Sequence, residues 1–162
     1  MSYDTAITKF SPNGQLLQVE YALEAVKMGN LTVGIRTKDG VILAVEKKSN
    51  KKLQDPRSFK KVALVDKHIA CAFTGLNADA RVIVDKARLD AQSFRLSYDE
   101  TPTINYISRQ VSAVMQKYTQ KGGARPFGLS IMLAGIDGDG TPQLHQIDPS
   151  GMITHFRANA MG

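Results

Sequence analysis

Few residues in this 162-residue chain have types and spacing that could do chemistry. His68, His145 and His155 stand without a Cys or a carboxylate at metal-ligand spacing, which points to surface or strand-packing roles. Cys71 is the sole cysteine and lies inside the apolar run Ile69-Ala70-Cys71-Ala72-Phe73. That excludes an intrachain disulfide and a cysteine-rich metal centre. It reads as a buried strand thiol suited to a reducing compartment. Asp137-x-Asp139-Gly140 has the opening of a calcium loop but neither the further ligands nor the terminal Glu, so a turn is expected. Gly122-Gly123 and Gly138-x-Gly140 do not sit between a strand and a helix, as a phosphate cradle requires, and there is no Gly-x-Ser-x-Gly. The residue types alone assign no catalytic, metal or cofactor site.

Charge is the next signal. The net charge is +6, and Lys47, Lys48, Lys51, Lys52, Arg57, Lys60 and Lys61 fall within 15 residues that also hold Asp55. A basic cluster of this kind can bind nucleic acid. Here no aromatic residue interleaves it before Phe59 and no nucleic-acid-reading motif accompanies it. A solvated face or an acidic protein partner is therefore the expectation. No apolar run approaches the ~18 residues of a membrane span, and the polar start Met1-Ser2-Tyr3-Asp4 is unlike a signal peptide.

The elements that would position these residues are legible from period and punctuation. With 43% apolar residues the chain fits one globular domain. Ser11-Pro12-Asn13-Gly14 is a turn, and from Gln15 to Gly29 the stripe Leu16, Val19, Leu23, Val26 predicts an amphipathic helix. Strands are predicted over 31–36 and 41–46 about the Asp39-Gly40 turn, and over 62–65 and 68–73 about Asp66-Lys67. Their near-continuous apolar character predicts one antiparallel sheet buried on both faces. Two helices follow, 77–96 with Asn77 as N-cap, and a second introduced by Thr101 as cap and Pro102 as first residue. Strands over 129–134, 143–147 and 152–155 complete the pattern. Strands, two adjacent helices, then strands argue for an α+β fold with a helical hairpin on one sheet face.

Tyr3-Asp4, Phe10-Ser11-Pro12-x-Gly14, Gln18-Val19-Glu20-Tyr21-Ala22 and Glu24-Ala25 resemble the N-terminal signature of alpha-type subunits of the 20S proteasome. The likeness continues through Glu46-Lys47-Lys48, Gly75-Leu76-x-Ala78-Asp79-Ala80-Arg81, Tyr118-Thr119-Gln120, Arg125-Pro126-Phe127-Gly128, Asp148-Pro149-Ser150-Gly151 and Ala158-x-Ala160-Met161-Gly162. It holds one register over the whole chain, and its opening is most similar to the fourth position of the eukaryotic alpha ring. The resemblance implies an N-terminal-nucleophile hydrolase fold, a four-layer αββα sandwich of antiparallel sheets. Residues 1–14 would be a gating tail and reverse turn, 15–29 a ring-contact helix, and 30–162 an αββα core incomplete at its C-terminus. Such subunits run on after the Ala-Met-Gly motif, so one sheet face is expected to lack its cover.

The resemblance also implies what the chain does. Catalytic members of that fold expose an N-terminal Thr whose own amine is the base. Asn30 stands at that place here, and an amide supplies no activated oxygen. Glu46 and Lys61 fall roughly where catalytic members keep an Asp and a Lys. A silent subunit of a seven-membered ring is implied, with other alpha subunits, beta subunits and activator C-terminal tails as partners. No cofactor, metal, membrane or nucleic acid is implied, and cytoplasm and nucleus are the expected compartments. Tyr3, Asp4, Pro12 and Tyr21 carry over as gate residues. Thr5 stands where Arg is usual after Tyr-Asp, which removes a salt bridge from the tail. Glu20, Gly29, Lys61 and Leu76 carry over as an activator-docking pocket, with Lys61 at its rim for a terminal carboxylate. Lys121, Gly122 and Gly123 carry over as a pore annulus loop, where glycines permit a tight turn. Two other classes remain open: a self-processing threonine hydrolase using Thr32, and a basic nucleic-acid-binding protein.

Overall fold

Which side chains each sheet buries is decided by alternation along its strands. A computed structural model describes residues 9–47, 53 and 60–162. The order is α1 (Leu17–Lys27), β1 (Thr32–Arg36), β2 (Val41–Val45), β3 (Val62–Asp66), β4 (Ile69–Gly75), α2 (Asn77–Tyr98), α3 (Ile104–Gln120), β5 (Leu129–Ile136), β6 (Pro142–Ile147), β7 (Ile153–His155) and β8 (Ala158–Met161). The strands form a three-stranded sheet β2-β1-β8 and a five-stranded sheet β3-β4-β5-β6-β7, with antiparallel pairing throughout.

The two early hairpins therefore do not share a sheet, contrary to the sequence expectation. Tight turns fix each hairpin but carry no information on whether two hairpins pair. Burial on both faces is likewise confined to β4 and β5, the centre of the larger sheet, whereas β1 and β2 alternate. Leu129, Ile131 and Leu133 join Ile69, Cys71 and Phe73 in a core shared with α2 and α3. On the opposite face Met132, Ala134 and Leu144 pack against Val41, Leu43 and Met161 of the smaller sheet. Gly34 lets the sheets meet, since a Cβ there would stand 2.2 Å from the Met132 sulfur. Cys71 is fully buried, which pushes its thiol up to about 12, so it is an inert part of the core.

The outward face of the smaller sheet carries Val33, Ile35, Ile42, Ala44, Ala158 and Ala160. Ile35 and Ile42 are exposed upon it. Strand β8, which supplies two of the six, is legible in the sequence only as a family motif, because four residues are too few to show a period.

Two helix starts differ from the sequence reading. Leu76 is the residue before α2, and Asn77 accepts a hydrogen bond from the Lys61 ammonium at 2.5 Å instead of capping. Thr103, not Thr101, caps α3 by accepting the Tyr106 N–H at 3.1 Å. Asp137 adds a second acceptor, taking the Ile104 N–H at 2.8 Å from the β5–β6 turn. The loop at Asp137–Gly140, expected to be a turn rather than a calcium site, thus serves as a tertiary cap. Asp79, in the first turn of α2, holds the 121–128 loop. Its carboxylate takes both Arg125 guanidinium nitrogens at 2.7 and 2.8 Å and the Gly128 N–H at 3.0 Å. The Arg125 bonds hold the Asp79 carboxyl below the usual range, against the effect of burial and with help from Gly128.

His145 and His155 face each other across β6 and β7, rings stacked at 3.9 Å and 2°. His145 is 1% exposed, its Nδ1 lies 2.8 Å from the Ser108 hydroxyl, and its Nε2 is buried without a partner. Burial first, then the His155 and Arg36 charges, lowers its pKa from 6.5 to about 4. The unfolded chain thus takes a proton below pH 6.5 that the folded chain refuses until about pH 4. Stability is complete above that window and falls by about 3 kcal/mol as pH drops through it. In urea titrations across this range, His145→Gln removes that part of the slope while leaving the carboxylate contribution. Equal slopes in the two proteins contradict the assignment. Separately, Asp79→Ala leaves the Gly128 N–H unmet and costs about 2 kcal/mol, read as a lower urea midpoint, and an unchanged midpoint refutes the clamp.

Candidate gate and docking site

Local chemistry fixes the start of the candidate site. The Gly14 N–H donates to the Ser11 carbonyl at 2.9 Å, and the Gln15 N–H to the Ser11 hydroxyl at 3.1 Å. Pro12 is second in this turn and exposed, with φ preset for that place, and Gly14 supplies φ 79°. The turn delivers the chain into α1, which buries Val19, Ala22 and Val26. Ala22, rather than the expected Leu23, completes the stripe, because the helix lies close against the ends of β4 and β5 where a small side chain fits. Tyr21 is half exposed on the other side of the helix. Tyr3 and Asp4, like Thr5, lie outside the described residues, as do Lys48, Lys51, Lys52 and Arg57 of the basic cluster.

Helix α1 ends at a contact that only glycine allows. The Gly29 N–H donates to the Val26 carbonyl at 2.9 Å, and a Cβ on Gly29 would lie 2.0 Å from Thr74 Oγ1 and 2.6 Å from the Gly75 nitrogen. The Thr74 hydroxyl reaches back to the Val26 carbonyl at 3.5 Å. Gly75 adopts φ 104°, and the next residue, Leu76, donates its N–H to the Gly128 carbonyl at 2.9 Å. Gly29 and Leu76 therefore gather about the β4–α2 junction, and Lys61 reaches the same junction through Asn77.

Glu20 does not join them. It is nine residues back along α1, roughly 13 Å by helical rise. It lines a separate depression of about 350 Å³ with Phe10, Gln15, Gln116 and Ser150. Lys61 also departs from the rim position expected of it. It is 7% exposed, with its ammonium bonded to Asn77 and 5.6 Å from the Phe73 ring centre, and burial lowers its pKa. Its place just ahead of β3, beside the start of α2, draws the stem inward, and the Asn77 amide gives the charge a local acceptor.

The segment expected to form the annulus loop follows α3. Lys121 ends that helix in extended conformation, its ammonium 5.1 Å from the Tyr118 ring centre. Gly122 and Gly123 are exposed, and Gly123 takes φ 77° to turn the chain back toward Arg125. In the sequence, Asp79, Arg125 and Gly128 stand out only as motif residues. Their opposite charges are the available signal, but a separation of 46 residues offers no period by which to pair them.

At the junction of arm and core the chain runs from α1 through Gly29 and Asn30 into β1. Thr32 is fully buried and its hydroxyl donates to the Asn30 carbonyl at 3.4 Å, so it meets no solvent. The Glu46 N–H donates to the Leu31 carbonyl at 2.8 Å alongside. Among the described residues the hydroxyl–imidazole pair Ser108–His145 is closed off by burial, and no group of three His, Cys, Asp or Glu is placed to hold a metal ion. Nor is any described helix long and apolar enough to cross a membrane.

Comparison with known proteins places the chain in a family. The family described as "Proteasome subunit" matches residues 26–162, and the N-terminal signature of A-type proteasome subunits matches residues 3–25. The chain is 51% identical over 160 residues to a Dictyostelium discoideum protein named as the alpha type-7 proteasome subunit, covering 99% of this chain and 64% of that one. It is 55% identical over 161 residues to the proteins of that name from Cicer arietinum and Solanum lycopersicum, again over 99% of this chain, and over 65% and 62% of theirs. The chain thus spans a little under two thirds of the length of these relatives. The two matches meet at α1, where the arm joins the core, and on them the chain belongs to the proteasome subunit family and carries the N-terminal signature of its A-type members.

Proposed function

We propose that the chain is a non-catalytic structural subunit of the outer alpha ring of the 20S proteasome, gating substrate access and docking regulatory particles for ubiquitin-dependent and ubiquitin-independent protein degradation. The observation that carries this reading is the seating of α1 on β4 through Gly29. It packs the residues ahead of β1 against the core at the place where catalytic members of the fold would begin, and Asn30 stands there. Without a terminal amine or an accessible hydroxyl at that junction, N-terminal-nucleophile chemistry has neither base nor nucleophile. The alternative of a threonine hydrolase using Thr32 is disfavoured by the burial of that side chain.

Within the ring we assign the fourth position, supported by the opening Ser2-Tyr3-Asp4 and by the alpha type-7 name of the relatives above. Its partners are the other alpha subunits of a seven-membered ring, the beta subunits, and activator C-terminal tails, and its compartments are cytoplasm and nucleus. Tyr3 and Asp4 supply directional hydrogen bonds between neighbouring tails, while Pro12 and Tyr21 fix where the arm leaves the rigid helix. Thr5 makes this latch weaker than one with Arg. Gly29, Leu76 and Lys61 form one wall of the docking pocket. Glu20 lies too far along α1 to share that wall within one chain, so it serves the neighbouring interface. Lys121, Gly122 and Gly123 line the inner annulus.

Deleting residues 2–9 in an assembled particle raises basal peptide hydrolysis severalfold without changing the particle's mass class. Unchanged hydrolysis in an intact particle contradicts a gating tail.

A further inference from the structure

We propose that the groove between the edge strand β3 and helix α2 is a docking surface for an acidic peptide segment that carries an apolar side chain. The groove has a volume of about 330 Å³. Its floor is Phe73, Ala80 and Val84, each almost wholly buried, and its rim holds Lys60, Arg81, Arg88 and Asp85. Lys61, which turns toward Asn77, does not line it, so the groove is distinct from the Gly29–Leu76 cluster. The proposal stands on the groove itself and does not need the ring assignment.

Charge decides the kind of partner. Among the described residues the rim has three cations against one carboxylate, and that carboxylate is already answered: Arg88 Nη1 donates to Asp85 at 3.2 Å. The same guanidinium donates from Nε to the Leu64 carbonyl at 2.9 Å, pinning it across the strand edge. Lys60 and Arg81 have no acidic partner among the described residues. The rim therefore offers two unanswered positive charges on either side of an apolar floor. Such an arrangement attracts carboxylates from a distance and then rewards burial of one apolar side chain.

Strand β3 is the terminal strand of its sheet, so no described strand covers its outer edge. Its Leu64 carbonyl is occupied by Arg88 and its register is broken by a bulge between Leu64 and Asp66, so continuous strand addition is blocked. The partner is recognised through side chains instead. A nucleic acid fits poorly, because among the described residues the one aromatic ring lining the groove, Phe73, is set into the floor and offers no face for base stacking.

The test uses the full chain and a fluorescein-labelled peptide in which Glu alternates with Leu, read by anisotropy. Arg81→Glu and Lys60→Glu are exposed-site reversals whose folding is checked by circular dichroism. The expected result is saturable binding that weakens on adding salt, drops about tenfold in either variant, and drops again when Ser replaces Leu in the peptide. Affinity unchanged in both variants overturns the site. Equal binding of the Ser peptide overturns the apolar floor, and equal or tighter binding of an oligothymidylate overturns the choice of a peptide partner. Absence of any binding by the wild-type chain overturns the proposal outright.

Discussion

The seating of Gly29 against the end of β4 is the contact on which the rest of the molecule's organisation depends. With the Gly29 Cβ position 2.0 Å from the Thr74 hydroxyl, any side chain there forces α1 away from the sheet. The helix carries the Ser11–Gly14 turn at its other end, so displacement of the helix displaces Pro12 as well. The same closeness brings Gly75 and Leu76 under the Gly128 carbonyl, which ties the loop after α3 to the strand that precedes α2. Three segments far apart in the chain thus meet mainly through backbone, with the Thr74 hydroxyl between them. Backbone contacts of this kind tolerate little adjustment, so the arm enters the core at one fixed angle.

Charge then does what apolar packing cannot. A large core dominated by Ile, Leu, Val and Ala and a smaller one of Met132, Ala134, Leu144 and Met161 specify volume but leave loops undetermined. Two largely buried carboxylates settle the loops. Asp79 fastens the 121–128 segment through Arg125 and Gly128. At Asp66, burial acts to raise the carboxyl, but Arg95, the Lys67 N–H and His68 together outweigh it and hold it low. That pair joins the β3–β4 turn to the last turns of α2. Each carboxylate is charged and partnered in the folded chain, so each favours one loop placement over its alternatives.

Much of this architecture is legible in the sequence, for reasons that are physical. The α2 stripe of Ala80, Val84, Ala87 and Ala91 is buried as its period requires, and the strands on either side of Asp39-Gly40 pair as the expected hairpin. What cannot be read is where separate hairpins go: nothing local in β1–β2 or β3–β4 states that they belong to different sheets. The caps fall elsewhere than expected because Asn77 and Thr101 have cap chemistry without cap position, and position depends on where Lys61 and Asp137 arrive from elsewhere in the chain. The candidate site residues come from family likeness, and the structure brings two of them, Gly29 and Leu76, to one junction. The burial of Lys61 and the remoteness of Glu20 are not legible in the sequence, since they depend on how the segment before β3 and the helix α1 face.

The central claim is that the arm stays joined to β1 through Gly29 and Asn30, and the proposed role of shaping a passage rather than cutting bonds depends on it. The most direct measurement is the intact mass and N-terminal sequence of this polypeptide recovered from the particle it assembles into. The account predicts that residues ahead of Asn30 are retained on every copy. Copies that begin at Asn30 or at Thr32, with a free amine ahead of the first strand, would contradict it.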